Sequence, residues 1–220
     1  AEVQYALGAT YTSTTPALVA PNVLTTPDGR EPGLLAEYWD NPDFQGQPTL
    51  RRIEPRVYFD SFMEEPAVMT ALDGEEYAIR WTGSLTPPAN GDYVLSARTG
   101  QWNRNGRIRL FLDDKEVSPS APTGARPAGL GPGQGQGPGP GGRRLPAPVA
   151  LEGGRRYAVR VEFRQTGPEG SAEFNWIPPA PVLLAEAEKV AGDSDVVIVC
   201  VGLNGSLEGE GRDRAAIELP

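Results

Sequence analysis

A mainly β architecture, an antiparallel β-sandwich or barrel inserted into an α/β sandwich domain, is predicted by three features of this 220-residue chain. Between Gly33 and Pro179, short runs alternate apolar and polar residues. After Pro178-Pro179 the apolar spacing becomes helical, and a wholly apolar run, Asp195-Val-Val-Ile-Val-Cys-Val-Gly202, follows. Period-two alternation marks a strand with one buried face, whereas a run without polar alternation demands cover on both faces, as at the centre of a parallel sheet.

In chain order, residues 1–32 read as one strand, Val3-Gln-Tyr-Ala6, and a Thr/Pro-rich connecting segment with no period. Six strands then follow: Leu34-Leu-Ala-Glu-Tyr-Trp39, Tyr77-Ala-Ile-Arg-Trp81, Tyr93-Val-Leu-Ser-Ala-Arg98, Arg107-Ile-Arg-Leu-Phe-Leu112, Tyr157-Ala-Val-Arg-Val-Glu-Phe163 and Ala172-Glu-Phe-Asn-Trp176. Turn residues separate them at Pro87-Pro88, Asn90-Gly91, Asn105-Gly106, Gly153-Gly154 and Glu169-Gly170. Asp113-Asp114 reads as a turn before Lys115-Glu-Val117, and the Gly/Pro/Ala tract between Ser118 and Pro148 as a mobile loop. Leu183, Leu184, Ala187, Val190 and Ala191 share one helical face, Glu186, Glu188 and Lys189 face out, and Gly192 ends the helix. Helix and buried strand make half of a βαβ unit. Residues 1–32 and 180–220 are therefore expected in one α/β domain and residues 33–179 in a β domain inserted between them. Both ends read as cut from a longer chain.

Composition narrows the chemistry. With no His, triads that depend on imidazole and most transition-metal sites are removed, and acid–base work falls to carboxylates. The single Cys, Cys200, sits in the apolar run and reads as a small core residue; neither a disulfide framework nor a zinc site is implied. The net charge of −9, with scattered basic residues, argues against a nucleic-acid partner. No stretch reaches the roughly 20 apolar residues of a membrane span, so no membrane partner is expected. The N-terminus lacks the pattern of a signal peptide and leaves the compartment open, an extracellular one included.

The β region resembles a PA14 domain. The resemblance rests on Gly33-Leu-Leu-Ala-Glu-Tyr-Trp-Asp-Asn-Pro-Asp-Phe44, Tyr77-Ala-Ile-Arg-Trp-Thr-Gly83 with Gly91-Asp-Tyr93, Ile108-Arg-Leu-Phe-Leu-Asp113, Gly154-Arg-Arg-Tyr157 and Trp176. It implies a β-sandwich or barrel module of a kind that often binds carbohydrate. Some PA14 adhesins hold calcium through adjacent aspartates on the loop before the strand corresponding to Arg107–Leu112. Here that loop is Gly100-Gln-Trp-Asn-Arg-Asn-Gly106, without a carboxylate, so no calcium site is expected.

The C-terminal loop Glu208-Gly-Glu-Gly-Arg-Asp-Arg214, followed by Ile217-Glu-Leu-Pro220, is similar to family 3 glycoside hydrolases, as is Val3-Gln-Tyr-Ala-Leu-Gly8. In that family a PA14 module is inserted in the α/β sandwich domain. The resemblance implies a retaining β-glucosidase with no cofactor and a glycoside substrate. Its nucleophilic Asp would lie on a barrel domain that this chain lacks, so the chain alone is expected to be inactive. The family's Glu-Gly-x-Asp-Arg motif falls on Glu210 as general acid/base, with Glu208 as the alternative. Flanking Gly209 and Gly211 let the backbone approach a ligand, and a nearby carboxylate would raise the acid's pKa toward its working range. The inserted module would shape the leaving-group subsite. Trp102, in a polar inter-strand loop, is the candidate substrate contact, while Trp39, Trp81 and Trp176 lie in strand patterns and are expected in the core.

Overall fold

The computed structural model describes Gln4, Ala6, Gly8, Asn103 and residues 16–64, 66–72, 76–100, 105–118, 146–167 and 169–199. In chain order the strands are β1 Ala17–Leu18, β2 Leu24–Thr25, β3 Leu34–Trp39, β4 Leu50–Glu54, β5 Tyr58–Asp60, β6 Glu76–Leu85, β7 Gly91–Arg98, β8 Arg107–Leu112, β9 Lys115–Ser118, β10 Val149–Leu151, β11 Tyr157–Thr166 and β12 Ser171–Ile177. A 3-10 turn, Pro21–Val23, joins β1 to β2; helix α1, Pro66–Ala71, precedes β6; and helix α2, Ala180–Gly192, follows β12.

All pairings between these strands are antiparallel. The larger sheet runs β4-β3-β6-β11-β8-β9, with β2 beside the end of β6; the smaller runs β1-β12-β7-β10, with β5 on β12. Alternation sends Tyr77, Ile79, Trp81, Val159, Val161 and Phe163 inward from the larger sheet, to meet Tyr93, Leu95, Phe174 and Trp176 of the smaller in one continuous core. Phe59 of β5 bridges the layers, with ring centroids 5.9 Å from Tyr77 and 6.0 Å from Phe163. Each such ring removes apolar area from water worth about 1.5–3 kcal/mol. Gly83 lets β2 lie close on β6, since a Cβ there would fall 2.4 Å from the Thr25 carbonyl oxygen.

The six expected strands form at their expected positions, and Trp39, Trp81 and Trp176 are buried. Asp113 and Asp114 take left-handed φ values of 46° and 62°, as a two-residue hairpin turn between β8 and β9 requires. Three expectations need correction. The segment read as a mere connection contributes β1 and β2, one to each sheet, because backbone pairing needs no apolar period in two-residue strands. Leu184, expected on the buried face of α2, is 56% exposed, because the helix buries its first-turn residues Val182 and Leu183 instead. The run expected as a buried central strand is exposed and irregular from Val196 to Val199. A central strand needs hydrogen-bonded neighbours on both edges, and none of the described strands lies beside it. The proposed strand at Val3–Ala6 falls mostly outside the described residues, and Cys200 and the centre of the Gly/Pro tract lie wholly outside them.

Candidate functional site

Three loops meet at one end of the sandwich and border a half-open cavity of about 220 Å³, lined by Asp60, Phe62, Gly100, Asn103, Glu169, Gly170 and Ser171. The loops leave β5, join β7 to β8, and join β11 to β12. Asp60 folds the first of them: its Oδ1 accepts the Phe62 N–H at 3.0 Å, and its carbonyl accepts the N–H groups of Met63 and Glu64 at 2.9 and 3.0 Å. This tight turn leaves Phe62 and Met63 75% and 78% exposed at the rim.

Cross-loop hydrogen bonds hold the rim together. Ser61 N–H donates to the Gly170 carbonyl at 2.9 Å, and Gly170 N–H donates to Ser61 Oγ at 3.0 Å. Gly100 N–H donates to Ser171 Oγ at 2.7 Å. Asn103 Oδ1 accepts the Gly106 N–H at 2.7 Å, while Asn103 Nδ2, buried, has no hydrogen-bond partner among the described residues. Beneath the turn, the Tyr77 hydroxyl is also buried without a partner among the described residues, and a Cβ at Gly170 would fall 2.0 Å from it. Burial, and then the charge of Asp60, push the Tyr77 phenol well above its ordinary pKa. The lining thus offers acceptors on Asp60 and Glu169, an amide donor on Asn103 and an aromatic ring on Phe62, a set suited to a hydroxylated ligand with one apolar face.

Behind the rim, a buried polar cluster fixes the loop that carries Phe62. Glu54 faces the core and accepts hydrogen bonds from the Tyr38 hydroxyl, from Trp81 Nε1 at 2.6 Å and from Arg52 Nε at 2.7 Å. Arg52 also reaches Glu64 at 2.9 Å and stacks over the Tyr38 ring. Burial works against the Arg52 charge, but Glu54, Tyr38 and Glu64 more than offset it, so the guanidinium is held above its ordinary pKa. Burial first, then the Glu54 charge, raises the Tyr38 phenol.

Of the residues expected from sequence, Trp102 lies next to Asn103 in the chain but outside the described residues, as do Glu208 and Glu210. Gly100 and Asn103, the described residues on either side of Trp102 in the chain, line the cavity. Sequence reasoning passed over Asp60, Phe62, Asn103 and Glu169; a large apolar pair, Phe62-Met63, inside the polar stretch Asp60–Glu64 was the signal available. Among the described residues, no group of three or more His, Cys, Asp or Glu side chains could hold a metal ion, and no helix is long and apolar enough to cross a membrane.

Comparison with known protein families matches residues 30–181 to the PA14 domain, more than half of the chain. The chain belongs to the PA14 family. Its curated relatives include the anti-sigma-I factor RsgI3 of Acetivibrio thermocellus, 28% identical over 75% of this chain and 22% of the relative. They also include the probable beta-glucosidase H of Aspergillus fumigatus, 30% identical over 71% of this chain and 20% of the relative. The chain therefore spans about a fifth of the length of the relatives it matches. Among solved structures, the beta-glucosidase of Kluyveromyces marxianus superposes on 100% of this PA14-containing chain and 26% of its own, with a TM-score of 0.59 and 22% identity.

Proposed function

We propose that this PA14 chain is part of a retaining β-glycosidase of the family 3 type, a β-glucosidase, with Glu210 as the general acid/base and the PA14 module shaping the leaving-group subsite. One observation carries the reading furthest. The PA14 match covers residues 30–181 and leaves flanking residues on both sides, and the chain is 30% identical, over 71% of its length, to a relative named as a probable beta-glucosidase. Those flanks hold the Glu208-Gly-Glu-Gly-Arg-Asp-Arg214 loop.

Two carboxyl groups would divide the work. Glu210 protonates the glycosidic oxygen as the bond to the leaving group breaks, and a carboxylate from the rest of the longer protein attacks the sugar's other face. Glu210 then takes the proton from the water that releases the sugar. The partner carboxylate's charge would keep Glu210 protonated at the start of the cycle. Phe62 at the cavity rim would contact the leaving group together with Trp102, their ring faces covering apolar surface, and Asp60, Asn103 and Glu169 would pair hydroxyls.

Glu210→Gln in the longer protein tests the assignment. Hydrolysis of β-glucosides with poor leaving groups should fall by about 10²–10⁴, the usual worth of general acid catalysis, while glycosides of acidic phenols, which leave without protonation, keep most of their bond-cleavage rate. Equal and small effects on both substrates would sink it. A second reading, a carbohydrate-binding module without catalysis, needs only the PA14 part of the chain, and one relative, named as an anti-sigma-I factor, is not named as a glycosidase. Binding of glycosides to the longer protein with no turnover would favour that reading.

A further inference from the structure

The outer face of the larger sheet carries a row of alternating charge across five strands: Arg51 on β4, Glu37 on β3, Arg80 on β6, Glu162 on β11 and Arg109 on β8. Salt bridges join Arg51 to Glu37 at 2.9 Å, Arg80 to Glu162 at 3.6 Å and Arg109 to Glu116 at 2.7 Å, and Arg160 also contacts Glu162. Here every charge has an opposite charge across the ladder.

One row along, the alternation fails. The same strands place Trp39, Ala78, Arg164 and Arg107 side by side, so Arg164 and Arg107 stand directly opposite each other. Like charges in that position weaken a sheet. Among the described residues Arg164 has one carboxylate in reach, the exposed Asp43 at 3.4 Å, and Arg107 makes no ion pair. Beside them Phe44, whose backbone adopts a left-handed φ of 57°, sets its ring 5.0 Å from the Arg164 guanidinium, 4.4 Å from that of Arg80, and edge-on to Trp39 at 5.2 Å. A left-handed bulky residue costs free energy and persists where its surroundings hold it. The doublet, whose two positive charges meet a single exposed carboxylate, and the held ring lie together on the outer face of the sheet.

We propose that this face binds the anionic group, carboxylate or sulfate, of an acidic sugar chain. Guanidinium forks match planar oxyanions with paired hydrogen bonds, and an anion seated between Arg107 and Arg164 removes their repulsion. The adjacent Phe44 ring offers apolar area to the sugar that carries the anion. A nucleic acid fits poorly, because the chain's net charge of −9 opposes a continuous phosphate backbone, whereas one sugar anion needs only a local cationic pair. The choice of a sugar rests on the carbohydrate-active reading above; the site is separate from the cavity.

Calorimetric titration of the 220-residue chain at low salt with oligogalacturonate, with a sulfated oligosaccharide and with an uncharged cello-oligosaccharide tests the proposal and separates the two anions. Binding of at least one acidic ligand is expected, weakened about tenfold or more in Arg107→Glu, as loss of a charge-assisted contact predicts. Arg56→Glu, the same charge change at an exposed residue between β4 and β5 and outside these rows, should bind as the parent does. The Arg107→Glu chain should unfold at no lower a urea concentration than the parent, because it replaces a repulsion by an attraction. Failure of both acidic ligands to bind, unchanged binding by Arg107→Glu, or equal weakening by Arg56→Glu each overturns the proposal. The titration needs no turnover, so a negative result leaves the glycosidase reading standing, and Glu210→Gln leaves the titration unchanged.

Discussion

Replacing Glu54 by Leu is the most severe single test of how the sandwich supports its site. The carboxylate receives the Tyr38 hydroxyl, the Trp81 N–H and the Arg52 Nε–H, and the Tyr38 and Trp81 side chains are 0% exposed. Leucine fills similar volume but orphans both buried donors at about 1–3 kcal/mol each. Arg52 adds little, because it keeps Glu64 and is partly solvated. The expected loss is about 4 kcal/mol, a large part of the roughly 5–15 kcal/mol that holds a typical domain folded. For a chain of this size that is roughly 8–16 °C in Tm. Urea unfolding followed by tryptophan fluorescence reads the loss directly. Adding Tyr38→Phe to the Glu54→Leu chain should restore about 1 kcal/mol, since removing both partners of a hydrogen bond costs less than stranding one. A loss under about 1 kcal/mol, or no recovery in the double variant, would refute the reasoning.

Alkali should unfold the chain through its buried phenols. Tyr38, Tyr77 and Tyr93 all have pKa values raised in the fold, by burial first. Their contribution is therefore complete below the unfolded value of 10.0 and lost as pH rises above it. Absorbance titration should show these tyrosines ionising together with loss of far-UV structure; reversible ionisation of every tyrosine in the folded chain would contradict it. Gly83→Ala should cost about 1–3 kcal/mol, the usual range for overpacking, because the new Cβ meets the Thr25 carbonyl at 2.4 Å; an unchanged urea midpoint would mean that β2 is not held there. Phe62→Ala should leave stability within about 0.5 kcal/mol, as for other exposed positions, yet raise KM for aryl β-glucosides in the longer protein. Unaltered kinetics would remove Phe62 from the leaving-group contact.

Strands whose core-facing phase is apolar could be read from the sequence: β3, β6, β7, β8, β11 and β12 repeat apolar residues at every second position. β4 could not, because its core-facing side chains include Arg52 and Glu54 while Ile53 faces out, so polar residues occupy the buried phase of the alternation. β1, β2 and β5 are two or three residues long, too short to show any period. The apolar run before Gly202 followed the rule for a buried strand, but its partners would have to come from outside the described strands. The cavity shows a different limit. Asp60, Asn103 and Glu169 come from three loops separated by dozens of residues, and only the pairing of β12 with β5 and β7 brings them together. The loop around Trp102 stood out because it places a large aromatic residue among polar ones between two strands.

The assignment of Glu210 can be tested most directly with azide. In the second half of a retaining reaction the acid/base residue must take a proton from water; azide is already anionic and needs no such help. Adding azide to the Glu210→Ala form of the longer protein, assayed on an aryl β-glucoside with a good leaving group, should restore turnover and yield the β-glycosyl azide, while Glu208→Ala gains nothing. Rescue of Glu208→Ala instead, or an aryl glucoside turned over by Glu210→Ala at the parent rate without azide, would contradict the role given to Glu210.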